Sequence, residues 1–135
     1  MKILAIDYGH KRLGFAVGST DLRVAVPLCQ IENRNRQQSL AFISQLLADH
    51  EIDKIVLGYP TNLDGSACAT GRRVREFRQL LIRTLGLTVE LVDERLSSFA
   101  AEESLKEIKN DFRKRKPLLD SVSAQLILQN YFGGL

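Results

Sequence analysis

Apolar residues fall in two rhythms along this chain. Residues 3–6 (Ile-Leu-Ala-Ile) make a short unbroken run of the kind that suits a strand covered on both faces, and the run ends on Asp7. Gly9 and Gly14 then enclose His10, Lys11 and Arg12, and Phe15, Ala16 and Val17 resume the apolar run, which predicts an antiparallel hairpin with the acid at its mouth. Residues 24–31 read as a third strand, in which Pro27 removes a ladder donor and so marks an edge or a bulge. After a polar loop over 32–38, Leu40, Ile43, Leu46 and Leu47 recur at helical spacing and predict a helix over 37–50. Residues 54–58 return to strand character; following a helix, this strand is expected to run parallel to the first through a right-handed crossover.

The loop over 58–66 leaves the carboxyl end of that strand, where ligands bind in open α/β sheets. Val74, Phe77, Leu80 and Leu81 mark a second helix with arginines on its other face. Residues 87–92 form a fifth strand ending in Asp93, Glu94 and Arg95, and Ser97 or Ser98 caps a helix through Ala100, Ala101, Leu105 and Ile108. A mobile basic linker over 109–116 precedes the last helix, opened by Pro117 and closed by Gly133 and Gly134. On that helix Asp120, Ala124, Ile127 and Tyr131 share one stripe, so the core-facing side starts with a carboxylate.

The 135 residues suffice for one domain spanning 1–135 with a core of its own. No apolar run reaches membrane-spanning length and no signal peptide is evident, so a cytoplasmic protein without a membrane partner is the expectation. Cys29 and Cys68 lack metal-ligand spacing and are expected to stay reduced. The net charge is only +3, but the basic residues cluster: Arg72, Arg73, Arg75, Arg78 and Arg83 in one segment, Lys106, Lys109, Arg113, Lys114, Arg115 and Lys116 in another. Each cluster alone would serve as a solvated face. Together with acids at strand ends they fit a polyanion, because Lys and Arg replace the counterions that phosphates release.

Those acids are Asp7 after the first strand, Glu94 after the fifth and Asp120 at the head of the last helix. With the first, fourth and fifth strands adjacent and parallel, their carboxyl ends share one edge of the sheet, and a helix across that sheet can bring Asp120 over it. Three converging carboxylates repel one another unless divalent cations neutralise them. Oxygen-only ligands select Mg²⁺ or Mn²⁺ over zinc. Two such ions about 4 Å apart suit in-line hydrolysis of a phosphodiester.

Four ordered motifs resemble those of the YqgF family, the Holliday-junction-resolvase-like proteins also described as nucleases of precursor 16S ribosomal RNA. They are residues 7–18 (DYGHKRLGFAVG), 58–66 (GYPTNLDGS), 93–98 (DERLSS) and 120–124 (DSVSA), and the likeness runs from end to end. It implies a ribonuclease H-like α/β fold: a mixed five-stranded sheet, three strands antiparallel, with helices on both faces. It further implies metal-dependent endonuclease chemistry with Asp7, Glu94 and Asp120 as catalytic, metal-holding acids. The substrate so implied is the 5′ end of precursor 16S ribosomal RNA, in free RNA or in a pre-ribosomal particle. The alternatives are branched DNA in a Holliday-junction resolvase and a non-catalytic RNA-binding module. A sugar-kinase-type phosphate loop also resembles residues 7–14, but that superfamily closes on its nucleotide with two domains. Asp7, on the most buried strand, is assigned to bridge both metals, with Glu94 and Asp120 completing one ion each. Lys11, Arg12, Arg72, Arg73, Arg95, Lys114, Arg115 and Lys116 are assigned to nucleic acid, with pairing to the acids as the competing role for Lys11, Arg12 and, above all, Arg95.

Overall fold

The computed structural model describes residues 1–9, 11–59, 69–93 and 112–134, with side chains from 71 in the second helix, up to 92 in the last strand and from 122 in the last helix. Its strands are β1 (Lys2–Tyr8), β2 (Arg12–Ser19), β3 (Val24–Glu32), β4 (Lys54–Tyr59) and β5 (Val89–Asp93), and its helices α1 (Arg36–Asp49), α2 (Ala69–Leu85) and α3 (Phe112–Gly133). They build one five-stranded sheet in the order β3-β2-β1-β4-β5. β3, β2 and β1 pair antiparallel, whereas β1, β4 and β5 run parallel. The expected mixed sheet is therefore present.

Strand β1 sits in the middle because its sequence can be buried on both sides. Leu4 and Ile6 enter one core with Ile43 and Leu46 of α1 and Val74, Phe77 and Leu81 of α2. Ile3 and Ala5 enter a second core with Ala124, Ile127, Leu128 and Phe132 of α3. Helices thus cover both faces, and period-two alternation along β1 decides which residue meets which layer. Small residues on the α3 side let that helix lie close: a Cβ at Gly18 would come within 2.9 Å of Phe132 Cε2.

Pro27 does mark an edge strand, and a bulge as well. β3 pairs only with β2 among the described strands, and the register jumps from Phe15–Cys29 to Ala16–Pro27. The outward backbone groups of this edge are covered from α3: Gln129 Oε1 accepts from Ala25 N at 3.3 Å, while Gln125 Nε2 donates to Ala25 O at 3.0 Å. Gln129 Nε2 also donates to Arg23 O at 3.1 Å. Satisfying these groups from within the chain closes part of the edge to strand addition. Asn35 caps α1, accepting from Gln37 N and Gln38 N.

Two expectations need correction. Helix α3 starts at Phe112, so residues 113–116 are its opening turns and not linker, and Pro117 lies within it. Proline already has a helical φ, but beyond the first turn it forgoes the bond to the residue four before it and crowds that carbonyl, a cost the helix bears there. Gly14 is not part of the turn either: β2 begins at Arg12, which puts Gly14 in the ladder opposite Asp7. Cys68 and the helix expected after Ser97 lie outside the described residues. Cys29 is a free thiol, and burial raises its pKa.

The end of α3 is fastened to the sheet by Lys54, whose Nζ lies 2.8 Å from Tyr131 Oη and 2.6 Å from Glu90 Oε2. These two partners, Glu90 first, raise the lysine's pKa, and partial desolvation opposes them only in part. A raised pKa means that the contribution is complete below about 10.5, the ordinary lysine value, and disappears as pH climbs through the higher folded value. Tyr131→Phe should lower the unfolding free energy by about 1 kcal/mol. The melting temperature of the native protein should also fall more steeply above pH 10.5 than that of Lys54→Met, both checked by thermal melts across pH.

Candidate active site

The carboxyl ends of β1, β4 and β5 meet along one edge of the sheet, where Tyr59 pairs with Asp93 and Ile6 with Leu57. Asp7 stands there, half-buried, one residue past the four fully covered positions of β1. It shares the parity of Ile3 and Ala5, which lie under α3, whereas Tyr8 faces the other layer with its ring centroid 4.9 Å from that of Phe77. The acid is therefore on the α3 side of the sheet. On β5 the same side carries Glu90, which reaches Lys54, and Val92, which packs into the α3 core.

The turn that follows Asp7 is held by its own backbone and by one side chain from elsewhere. Gly9 N donates to Arg12 O at 2.9 Å, and a Cβ on Gly9 would approach that oxygen to 2.6 Å, so only glycine fits. Asn33, just beyond β3, grips the turn twice: its backbone N donates to Lys11 O at 2.8 Å, and its Nδ2 donates to Gly9 O at 2.9 Å. The polar run after the third strand, which reads in sequence as a loop, thus contributes a residue that reasoning from motifs missed. Asparagine at a loop position is too common to signal such a contact. Lys11 is exposed beside this clamp, and Asp7 and Arg12 both engage further groups.

The other assigned residues divide. Glu94 and Arg95 lie outside the described residues, as does His10. Asp120, Lys114, Arg115 and Lys116 belong to the first turns of α3, the helix on the Asp7 side. Arg72 and Arg73 are exposed on the first turns of α2, on the opposite layer from Asp7. Among the described residues no three His, Cys, Asp or Glu side chains form a metal-binding cluster.

A family profile described as RuvX, Holliday junction resolvase, matches residues 1–134. The chain belongs to the RuvX family. Its curated relatives include a protein of Maridesulfovibrio salexigens, 41% identical over 131 residues that make up 97% of each chain, and one of Dechloromonas aromatica, 41% identical over 130 residues, 96% of this chain and 89% of the relative. Both carry the name "Putative pre-16S rRNA nuclease". Among solved structures, this RuvX-family chain is similar to Thermus thermophilus RuvC in complex with a Holliday junction substrate, with a TM-score of 0.61 at 15% identity, covering 99% of this chain and 94% of that one. The fowlpox virus resolvase complexed with Holliday junction DNA gives 0.59 at 11% identity, covering 99% and 98%. At those identities the likeness establishes the ribonuclease H-like fold. The family places a nuclease on that fold, and no helix among the described residues is long and apolar enough to cross a membrane.

Within the RuvX sequence the Asn33 clamp acts by fixing the turn between Asp7 and Arg12. Asn33→Ala removes the Gly9 contact and keeps the backbone one, and should cost about 1 kcal/mol in thermal unfolding. Amide exchange should rise at Gly9 and Arg12 while the β4–β5 ladder stays protected; unchanged exchange in the turn would show that the side chain does not hold it.

Proposed function

We propose that this protein is a divalent-metal-dependent endonuclease that hydrolyses phosphodiester bonds, acting in the cytoplasm on the 5′ end of precursor 16S ribosomal RNA. The observation that carries the reading is the position of Asp7: half-buried, at the carboxyl edge of parallel strands, on the face that α3 covers. Dimensions support the approach of Asp120. Tyr131 is tied to Lys54, which is level with Ile3 of β1. From Tyr131 back to Asp120 is about 16 Å of helix, and from Ile3 forward to Asp7 about 13 Å of strand. Those lengths support a reading in which residues 7 and 120 come level to within one helical turn. Glu94 follows Asp93 with the sequence parity of Glu90 and Val92, the α3-side residues of β5.

An all-carboxylate donor set at a partly shielded strand end suits Mg²⁺ or Mn²⁺. Asp7 would bridge two ions, with Glu94 and Asp120 each completing one. Bound there, the ions would activate water for in-line attack and stabilise the departing oxygen. The protein's own part is to hold the carboxylates fixed, through the doubly buried β1 strand and the clamped turn. Lys11 and Arg12 flank the acid and would orient the phosphate, with Arg95 and residues 114–116 offering further cationic contacts.

Branched DNA is the second reading, favoured by the description of the family and by the junction-bound structures that share the fold. One assay separates the possibilities: labelled precursor ribosomal RNA and a four-way DNA junction, each with Mg²⁺ or Mn²⁺ against chelator, for the native protein and Asp7→Asn. Metal-dependent cutting should fall at least 10²- to 10³-fold in the variant, roughly the scale of losing one preorganised electrostatic contact, while the fold persists. The substrate that is cut chooses between RNA maturation and junction resolution. Binding of RNA without cutting by the native protein would replace the enzyme with a binding module, and full activity in the variant would refute the role of Asp7.

A further inference from the structure

The layer formed by α1 and α2 is electrostatically unlike the rest of the chain. Its two helices hold six arginines, no lysine and only two acids, Asp49 and Glu76, a net charge of +4 against +3 for all 135 residues. This layer lies on the opposite side of the sheet from Asp7, so the acids do not account for it. Two of the arginines have structural work: Arg78 Nε donates to Val89 O at 2.7 Å, and Arg73 has a partner. The remaining ones line the outer surface. Arg72, Arg75 and Arg83 are exposed at helical spacing on α2, and Arg36 from the start of α1 joins them, its Nη2 3.9 Å from Glu76 Oε2. That contact offsets the one acid in the stripe.

The surface here is concave. Arg72, Arg75, Glu76 and Gln79 line one hollow of about 270 Å³, and Arg36, Glu76, Gln79 and Arg83 line a second of about 450 Å³ next to it. The stripe also begins where the candidate active site begins. Arg75 lies 6.0 Å from the ring centroid of Tyr59, the last residue of β4 on the carboxyl edge of the sheet. From Arg72 to Arg83 the helix extends about 16 Å, the rise of about five nucleotides in one strand of a duplex. Guanidinium groups without competing lysines suit phosphate oxygens, which they meet with paired donors.

We propose that the outer face of α1 and α2 is a second phosphate-backbone track, holding the part of the nucleic acid that flanks the cleaved bond after it turns round the sheet edge at Tyr59. The identification of the polyanion as nucleic acid rests on the nuclease reading above; the track itself rests on the arginine stripe. It gives the substrate two contacts on opposite layers, so affinity and cleavage become separable.

The test compares the full chain with Arg72→Gln/Arg75→Gln/Arg83→Gln, with Asp7→Asn and with the remote control Lys2→Gln, whose exposed ammonium pairs with Glu51 at the other edge. Binding is read by fluorescence anisotropy across a salt series, on an RNA duplex with a single-stranded tail, on the DNA equivalent, and on an oligonucleotide too short to run from the rim to Arg83. The triple variant should lose about 2 to 3 from the slope of log affinity against log salt on the long probe that binds, RNA or DNA. It should be indistinguishable from the native protein on the short probe, and Lys2→Gln should change neither. Equal slopes for native and triple variant, with melting curves that match, would overturn the track and leave an acidic protein surface as the occupant. Equal losses on short and long probes would also overturn it, since they would reflect overall charge. Asp7→Asn reports on the other proposal alone: a variant that still cleaves refutes the active-site reading, whatever the slopes show.

Discussion

The burial of β1 on both faces is the constraint from which the rest of this structure follows. A strand paired on two edges and covered on two faces has no freedom to slip, because a one-residue shift would exchange Leu4 and Ile6 with Ile3 and Ala5 between cores of different depth. The larger pair faces α1 and α2, and the pair containing alanine faces the closely packed α3. That register carries through to Asp7 and settles on which layer the carboxylate lies. An acid so placed is held by about as rigid a support as a protein offers, which is what electrostatic chemistry at a phosphate requires.

Helix α3 is fastened differently at its two sides. Its apolar stripe of Ala124, Ile127, Leu128 and Phe132 supplies the non-directional attraction, while Gln125, Gln129 and Tyr131 provide directional contacts to β3 and to Lys54. Non-directional packing alone would tolerate rotation or sliding of the helix. Hydrogen bonds to named backbone groups on one side and a charged tether on the other, all in the C-terminal half of the helix, set its azimuth and its register along the sheet. The position of the third turn of α3, where Asp120 sits, is thereby tied to contacts three turns further on.

Charge is distributed between layers in a way that net charge conceals. Asp7 stands at the carboxyl edge on the α3 side, and exposed arginines occupy the outer face of α1 and α2. Charges on separate layers couple weakly, because each acts within a screening length of about 8 Å. A nearly balanced chain can in this way carry an acid at one edge of its sheet and an arginine-rich surface on one layer.

The local pattern of residues determined much by itself. The unbroken run at 3–6, the helical spacing over 40–47 and the proline at 27 each encode a backbone state through sterics and burial, and each appears as β1, α1 and a bulged edge strand. Motif order was enough to indicate the family. Sequence also marked Asp7 as a candidate, because an acid ending a doubly buried strand is conspicuous, and the structure puts it at the carboxyl edge of the parallel strands. Local signals failed where the deciding partner is distant, as when Gly14 entered a ladder because Asp7 pairs with it, and the helix continues upstream of Pro117 against the local preference of proline. Asn33 gripping the Gly9 turn, the glutamines that cover β3, and the placing of the α2 arginines on the layer opposite Asp7 were decided by tertiary structure alone. These contacts join residues 24 to 104 positions apart, and no short window of sequence contains both ends of such a bond.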